Sequence, residues 1–287
     1  MNGIVIIDKP QDWTSQDVTA RLRRVYGTRR IGHGGTLDPM ATGVLPVFVG
    51  RATRGVEFFE HARKEYVTLL RPGLITDTQD TTGTVLETHP VSLDEGKIAQ
   101  VLEQFRGDIM QIPPMYSALK VNGQKLCDLA RKGRTVERQP RPITIHTLEY
   151  LGMENGCLKL RVDCSKGTYI RTLCQDIGEA LGCGGCMEAL RRTKAGEYDI
   201  SQAVPLQVLL DSETPVQYLR PVDSMFTACP AVKLTPNQEK RCRNGNAFSV
   251  AIADGTYRAY SQTGEFLMLA RVTGGVMETV KSFFEVE

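Results

Sequence analysis

Residues Gly32 to Pro46 read GHGGTLDPMATGVLP, and they set one acid, Asp38, in a glycine-rich loop that leads into an apolar strand. Glycine lets a chain turn sharply or approach a ligand closely. Pro39 fixes its own backbone and disfavours helical geometry at Asp38, so we expect the carboxylate at the edge of a rigid loop. A tight turn with a helix-capping aspartate would use the same residues, and the rest of the chain must separate these two interpretations.

Length and composition indicate a globular protein with two domains. The chain has 287 residues, of which 41% are hydrophobic, enough for one sizeable core and a second small one. No segment approaches the ~20 apolar residues of a membrane helix, and the N-terminus lacks an export signal. These features predict a cytoplasmic protein that does not associate with a membrane.

The eight cysteines are scattered along the chain. In a reducing compartment such thiols are not oxidised to disulfides, and we interpret most of them as small core side chains. Cys183 and Cys186 have the spacing of half a zinc site or of a redox pair. No second pair accompanies them, and no strand is predicted before them as in thioredoxin-like motifs. The sequence therefore predicts no metal site.

The net charge of +2 conceals a segregation of charge along the chain. Residues 21–71 contain ten Lys or Arg against four Asp or Glu, and residues 117–142 contain seven against two. Residues 72–116 have the opposite balance, two against seven. Basic segments suit a polyphosphate ligand, because each phosphate contact adds affinity through counterion release. Charge alone also fits an ordinary solvated surface, so nucleic-acid binding needs support from motifs.

Hydrophobic periodicity predicts a mixed α/β domain rather than regular βαβ repeats. Ser15 is predicted to cap a helix, and Ser92 with Glu95 is predicted to form a capping box before a second one. Alternating apolar residues over 158–162 predict a half-buried strand, which leads into a helix that ends near Gly182.

Two later changes in composition predict an insertion and a second domain. Residues 111–142 are rich in Pro, Gly, Lys and Arg, which favours a long functional loop or hairpin. Residues 221–230 have the composition of a linker, so the first domain is predicted to span 1–222 and the second 230–287. A proline-initiated helix capped at Thr235 would be followed by short strands typical of a small β-barrel, at 256–260, 265–272 and 278–284.

The chain also carries a series of short motifs in a fixed order. They are Gly3–Pro10 (GIVIIDKP), Lys64–Tyr66 (KEY), Thr76–Asp80 (TDTQD), Pro113–Lys120 (PPMYSALK), Ser165–Leu173 (SKGTYIRTL) and Leu190–Thr193 (LRRT). Each motif is unspecific alone. Together with the Gly32–Pro46 loop, the ordered set closely resembles the bacterial tRNA pseudouridine-55 synthases, the TruB family.

The resemblance implies a pseudouridine synthase fold, an α/β (mixed α+β) domain with a central, mostly antiparallel sheet flanked by helices. It also implies that the insertion at 111–142 grips RNA and, more loosely, that residues 230–287 form a PUA-like RNA-binding barrel. A barrel that only supports the first domain is the alternative. Relatives commonly carry Tyr where this chain has Cys127, so we assign no RNA contact to that position.

By the same resemblance, Asp38 matches the catalytic aspartate of the family. One ionised carboxylate placed against the sugar or the base can act as nucleophile or base in glycosidic chemistry, which implies no cofactor. Arg171 would pair with Asp38 and keep it ionised, because an opposite charge within a few ångströms favours the anion. The route stays open among attack on the sugar, addition to the base and removal of a ribose proton, since all three need the same carboxylate.

A uracil inside folded RNA must be extruded into a pocket before it can react. The resemblance assigns Tyr66 and Tyr169 to that pocket, where aromatic faces stack on the base. Leu190 would close its apolar side. His33 would fill the vacated position in the RNA or contact the flipped nucleotide.

The resemblance thus implies a cofactor-free isomerase that converts uridine to pseudouridine at position 55 of tRNA, with the T-stem-loop as its partner and no obligate protein partner. Two other functions would use the same residues. Gly32–Gly35 could cradle a phosphate in a nucleotide-dependent enzyme, although the spacing fits neither the dinucleotide fingerprint nor the Walker loop. An RNA chaperone with secondary or lost catalysis would also bind RNA, although the matched Asp, Tyr and Arg are all present.

Overall fold

The computed structural model describes residues 1–121 and 123–285, and they form two compact units. The first unit contains Met1–Pro39, Val44–Glu60 and the described residues from Ser201 onward. The second unit contains Met40–Gly43 and the described residues of His61–Ile200.

Strands and helices are numbered in chain order over both units. In the described residues the strands are β1 (Gly3–Lys9), β2 (Ile31–His33), β3 (Thr42–Val49), β4 (Lys64–Pro72), β5 (Leu74–Thr76), β6 (Val85–Thr88), β7 (Gly107–Gln111), β8 (Lys120–Val121), β9 (Gln124–Lys125), β10 (Arg141–Glu154), β11 (Cys157–Cys164), β12 (Gly185–Ala195), β13 (Tyr198–Asp199), β14 (Val204–Pro205), β15 (Ala231–Lys233), β16 (Phe248–Ser249), β17 (Gly255–Tyr260), β18 (Phe266–Thr273) and β19 (Val276–Ser282). The helices are α1 (Ser15–Val25), α2 (Val56–Glu60), α3 (Glu95–Glu103), α4 (Leu126–Ala130), α5 (Ile170–Ala180), α6 (Leu206–Leu210) and α7 (Pro236–Arg243). Short 3-10 helices cover Gly50–Gly55, Ile200–Gln202, Pro215–Tyr218 and Val222–Phe226.

In the first unit, the buried apolar strand β1 lies between β3 and the short parallel strand β14, and β2 pairs antiparallel with β3. The helix α1 is capped by Thr14, whose side chain accepts a hydrogen bond from the Asp17 N–H within a capping box. The prediction of a cap at Ser15 is therefore wrong. Ser15 is the first helical residue, and its hydroxyl is bonded to the backbone of Leu37 instead.

The C-terminal part of the first unit has its own sheet, in the order β15-β17-β18-β19-β16. The helix α7 begins with Pro236 after a capping box of Thr235 and Gln238, as the sequence predicts. The three predicted strands correspond to β17, β18 and β19, whereas β15 and β16 have three and two residues, too short for a recognisable pattern. The domain boundary at residues 222 and 230 stays a prediction.

The second unit is built on a sheet in the order β12-β4-β11-β10-β7, and all four of these pairings are antiparallel. The strand β12 also runs parallel to the start of β3, where Arg191 lies opposite Thr42. Burial alternates along β11, which confirms the strand predicted at 158–162. The mixed α/β class and the mostly antiparallel central sheet are likewise confirmed.

Two helices flank this sheet. The helix α5 contacts β12 and β4 and ends at Ala180, close to the predicted end. The helix α3 is capped by Asp94, whose carboxylate accepts a hydrogen bond from the Lys97 N–H. The predicted capping box of Ser92 and Glu95 is wrong, because the helix begins one residue after Asp94 and Ser92 lies outside it.

The predicted insertion leaves the sheet after β7 and returns to it in β10. Gln111, the last residue of β7, pairs with Arg141, the first residue of β10, so the two ends of the insertion are neighbours. The hairpin of β8 and β9 and the short helix α4 lie between them. In the described part of the chain, no helix has the length and apolar character needed to cross a membrane.

Candidate active site

Asp38 lies in a loop of the first unit whose backbone is fixed on both sides of the carboxylate. On the N-terminal side, the hydroxyl of Ser15 accepts a hydrogen bond from the Leu37 N–H at 2.9 Å and donates one to the Leu37 carbonyl at 3.2 Å. Ser15 and Leu37 are both buried. Hydrogen bonds shielded from water are strong, so these two hold the residue before Asp38 in one orientation.

On the C-terminal side, the carbonyl of Pro39 accepts hydrogen bonds from the Asp12 N–H at 2.9 Å and from the Lys9 ammonium at 3.2 Å. Lys9 is fully buried, and its ammonium also donates to two further carbonyls, at 2.8 and 2.5 Å. A buried charge needs such partners, because it has lost its hydration. Lys9 thus ties the end of β1 to the loop directly after Asp38.

His33 precedes this loop in β2, where it lies opposite Val47 and is half-buried. The next residue, Gly34, donates its N–H to the Pro46 carbonyl at 2.9 Å and closes the loop. A Cβ atom on Gly34 would lie 2.5 Å from Cδ1 of Phe59, so only glycine fits there. This glycine therefore has a packing role.

In the second unit, Tyr169 is the N-cap residue of α5. Its backbone N–H donates to Oε1 of Gln111 at 2.8 Å, and its carbonyl accepts from Nε2 of the same side chain at 3.1 Å. Gln111 is only 2% exposed. A side chain at the end of β7, 58 residues earlier in the chain, thus holds the backbone of Tyr169.

Arg171 lies two residues further along and is also buried. Its guanidinium donates to the carbonyls of Thr78 at 3.1 Å and Tyr116 at 2.9 Å, and its Nε lies 3.8 Å from Oδ2 of Asp80. Asp80 is buried too and accepts hydrogen bonds from the hydroxyls of Thr78 at 2.8 Å and Thr82 at 2.5 Å. A buried ion pair of this kind fixes the guanidinium, because either charge alone would be costly.

Tyr66 and Leu190 lie on neighbouring antiparallel strands, β4 and β12. Leu190 is opposite Thr68, and Arg192 is opposite Tyr66. Opposed residues, and residues two apart on a strand, share one face of a sheet, so all four lie on the same face. The Thr68 hydroxyl lies 3.8 Å from Sγ of Cys174 in α5, which shows that this is the face covered by α5.

Lys64 begins β4, and its ammonium donates to the Ala62 carbonyl at 2.9 Å. Burial, and then the positive charge of Arg192, lower the pKa of Lys64 to about 8. Loss of hydration disfavours the charged form, and a nearby cation does the same. Near pH 8 a substantial fraction of this lysine is therefore neutral.

Cys183 lies in the turn between α5 and β12, Cys186 is the second residue of β12, and both thiols are buried. Burial raises the pKa of Cys186 to about 11, which keeps it protonated and unreactive at neutral pH. In residues 1–121 and 123–285, no group of three or more His, Cys, Asp or Glu side chains is arranged to hold a metal ion.

The structure places His33 and Asp38 in the first unit and Tyr66, Tyr169, Arg171 and Leu190 in the second. Tyr66 and Leu190 share a sheet face, and Tyr169 and Arg171 share the first turn of α5. The ion pair expected between Arg171 and Asp38 stays a prediction.

Three residues that support these positions, Lys9, Asp80 and Gln111, were assigned no role from sequence, and Ser15 was assigned only a helix cap. Lys9 and Asp80 stand within the ordered motifs, which is the one signal that could have marked them. Ser15 and Gln111 are bonded to backbone 22 and 58 residues away, and no local pattern indicates such partners.

Two family models match the chain. The N-terminal domain of the TruB family of pseudouridylate synthases matches residues 23–170, and the C-terminal domain of tRNA pseudouridylate synthase B matches residues 171–227. The tRNA pseudouridine synthase B of Clostridium kluyveri is 40% identical, over 99% of this chain and 100% of its own length. That of Aromatoleum aromaticum is 42% identical, over 96% of this chain and 90% of its own length.

Solved structures agree with this assignment. A chain in the structure of an H/ACA RNP bound to a substrate RNA containing 2'-deoxyuridine has a TM-score of 0.73 and is 25% identical, over 99% of this chain and 85% of that chain. A chain in a Cbf5-Nop10-Gar1 complex also has a TM-score of 0.73, at 27% identity over 98% of this chain and 85% of that chain. The chain therefore belongs to the TruB family of pseudouridylate synthases, enzymes that isomerise uridine to pseudouridine.

Proposed function

We propose that this pseudouridylate synthase acts on tRNA and isomerises the uridine at position 55 in the T-loop. Relatives named tRNA pseudouridine synthase B match the chain over nearly its whole length, which supports tRNA as the substrate class. Residues 117–142 of the insertion carry seven Lys or Arg against two Asp or Glu, which supports binding of a phosphate backbone. The chain acts on this substrate without an obligate protein partner.

The reaction needs no cofactor, because its atoms and electrons balance within the nucleotide. The bond from ribose C1′ to uracil N1 breaks, the base rotates, and C1′ bonds to C5. The hydrogen on C5 leaves as a proton, and N1 gains one. A single carboxylate that acts as nucleophile or base is sufficient for this sequence.

Asp38 is the catalytic residue of the proposed reaction. The observation that carries this assignment is the fixation of Leu37 by Ser15 and of Pro39 by buried Lys9. A reacting group that is held in place before the substrate arrives needs less reorganisation in the transition state. A turn that only caps a helix has no use for a buried lysine and a buried serine on its two sides.

The other predicted residues hold the extruded uridine. Tyr66 and Tyr169 stack on or line the base, and Leu190, on the same sheet face as Tyr66, closes the apolar side. His33 contacts the flipped nucleotide or fills its former place in the RNA. Arg171 is the supporting residue, because Asp80 and two carbonyls hold its guanidinium in a fixed position.

Release of tritium from a tRNA transcript labelled at uridine C5 tests the proposal, with the purified chain alone and no nucleotide added. Asp38→Asn is expected to lower the rate at least ~100-fold, the lower end for loss of a general base. Asp211→Asn, at an exposed aspartate after α6, is the matched control and retains the wild-type rate. An active Asp38→Asn enzyme contradicts the proposal.

The same assay separates the alternatives. If neither the wild-type chain nor Asp38→Asn releases label, but both bind and refold tRNA, the chain is an RNA chaperone. If release requires ATP or NAD, the glycine-rich loop serves as a phosphate cradle. Activity only after a second protein is added would contradict action without a partner.

We further propose that residues 230–287 form a PUA-like RNA-binding module beside a catalytic domain of residues 1–222. The exposed Lys233 and Lys240 support this role, because lysines contribute affinity at each phosphate they neutralise. Replacing both with glutamine is expected to weaken tRNA binding and to lower the salt slope by about one per contact. Unchanged affinity would mean that the barrel only supports the catalytic domain.

A further inference from the structure

Gln111 holds Tyr169 through both hydrogen-bonding ends of one buried amide. Oε1 accepts from the Tyr169 N–H at 2.8 Å, and Nε2 donates to the Tyr169 carbonyl at 3.1 Å. The side chain is 2% exposed, so water does not compete for either bond. Because the N–H and the carbonyl lie on the two sides of the Tyr169 Cα atom, the two bonds together restrain the backbone of this residue.

The need for this contact follows from the place of Tyr169 in α5. An N-cap position favours Ser, Thr, Asp or Asn, and Tyr169 makes no side-chain cap. In a capping box, the side chain three residues into the helix binds the cap N–H, but here that residue is Thr172, which donates to Oε1 of Gln79 at 2.7 Å. Gln111 supplies from another strand the partner that a local cap would provide.

Gln111 also stands at the root of the insertion. It ends β7 and pairs with Arg141, where the chain returns in β10. Five residues after Gln111, the Tyr116 carbonyl accepts a hydrogen bond from Arg171 at 2.9 Å. The first turn of α5, with its tyrosine and its arginine, is therefore bound twice to the start of the insertion.

We propose that Gln111 is a positioning residue for uridine isomerisation: from the root of the RNA-binding insertion, its amide orients the backbone of Tyr169 and hence the ring that holds the base. This inference rests on the proposed role of Tyr169 and deepens it. It predicts that loss of Gln111 lowers the rate of isomerisation in the enzyme–tRNA complex, and that this effect depends on the presence of Tyr169.

A double-mutant cycle of Gln111 and Tyr169 tests this role of Gln111. The rates are measured under single turnover, with enzyme in saturating excess over labelled tRNA. In Gln111→Met, the methionine side chain has a similar length but makes neither hydrogen bond. We expect the rate constant for tritium release to fall about tenfold or more and the Kd for tRNA to change less than about threefold. In a Tyr169→Leu background, the same substitution should change the rate by less than about twofold, because there is no ring to position.

Gln104→Met, at an exposed glutamine that ends α3, is the matched control and should retain the wild-type rate. If circular dichroism shows that Gln111→Met does not fold, Gln111→Glu takes its place in the cycle. The glutamate keeps the size and the acceptor for the Tyr169 N–H, but at neutral pH it has no donor for the carbonyl.

An equal loss of rate in both backgrounds would overturn the inference, as would a loss of tRNA affinity with an unchanged rate. A Tyr169→Leu enzyme with the wild-type rate would instead refute the proposed role of the tyrosine. A wild-type chain that releases no label from tRNA would refute the proposed substrate, whatever Gln111 does.

Discussion

Replacing Ser15 with alanine is expected to lower both the stability of the first unit and the rate of isomerisation. The substitution removes the partner of the Leu37 N–H and of the Leu37 carbonyl, both in a buried segment. A buried polar group left without a partner costs about 1–3 kcal/mol, so two such groups in a loop that can relax cost about 2–4 kcal/mol. At ~2–4 °C per kcal/mol, Tm should fall by roughly 4–16 °C.

The substitution should also lower the rate of isomerisation. The released segment leads directly into Asp38, and a displacement of ~1 Å at a reacting group can cost about 100-fold in rate. The assay is single-turnover tritium release at a temperature where circular dichroism shows the variant to be folded, together with a measurement of tRNA affinity. Affinity should change little, because the buried Ser15 has almost no exposed surface for a contact with RNA.

Thr14→Ala is the control for this experiment. Thr14 caps the same helix through Asp17, and its loss should cost about 1 kcal/mol without touching the Leu37 backbone. Ser15→Ala should therefore be slow, whereas Thr14→Ala should have the wild-type rate. A Ser15→Ala enzyme with the wild-type Tm and rate, or an equal loss of activity in both variants, would refute the proposed role of Ser15.

Three further substitutions have defined outcomes. Lys64→Met should raise the free energy of unfolding at pH 7, because the pKa of Lys64 is about 8 in the folded chain and 10.5 in the unfolded chain. The gain should vanish as the pH rises from about 8 to 10.5, and urea titrations at pH 7 and pH 10.5 measure it. Gly43→Ala should lower the free energy of unfolding by about 2–5 kcal/mol, because the φ of Gly43 is +99° and a Cβ atom would lie 2.2 Å from the Arg192 carbonyl oxygen. At about 2–4 °C per kcal/mol, a Tm within about 2 °C of wild type would contradict this prediction. Arg171→Lys keeps the charge but cannot bond both carbonyls that the guanidinium holds, so single-turnover release should slow at least ~10-fold with tRNA affinity retained.

Elements with a strong local pattern could be predicted from the sequence. The alternation in β11 and the Thr235-Pro236 start of α7 each depend on residues that are neighbours in the chain. The constrained loop at Asp38 was also predictable, because glycine and proline restrict backbone geometry wherever they occur. The ordered motifs identified the family and, through it, the fold.

Contacts between distant segments could not be predicted in this way. Thr14 and Ser15 are adjacent residues that both suit a helix cap, and Thr14 takes this role while Ser15 binds Leu37, 22 residues away. Likewise, nothing near Gln111 indicates that its partner is the backbone of Tyr169. Such hydrogen bonds are selected by tertiary packing, because a buried polar group takes whichever partner the fold brings close.

The pairing of Gln111 with Arg141 has a consequence for redesign of the chain. Opposed residues in antiparallel strands lie only about 5 Å apart, and a two-residue hairpin can bridge that gap. Residues 112–140 can therefore be excised or exchanged for a foreign loop while the sheet keeps its register, at the loss of the Tyr116 carbonyl as a partner of Arg171. The root of the insertion is therefore a graft point for a foreign loop, and that loop must supply a new carbonyl partner for Arg171.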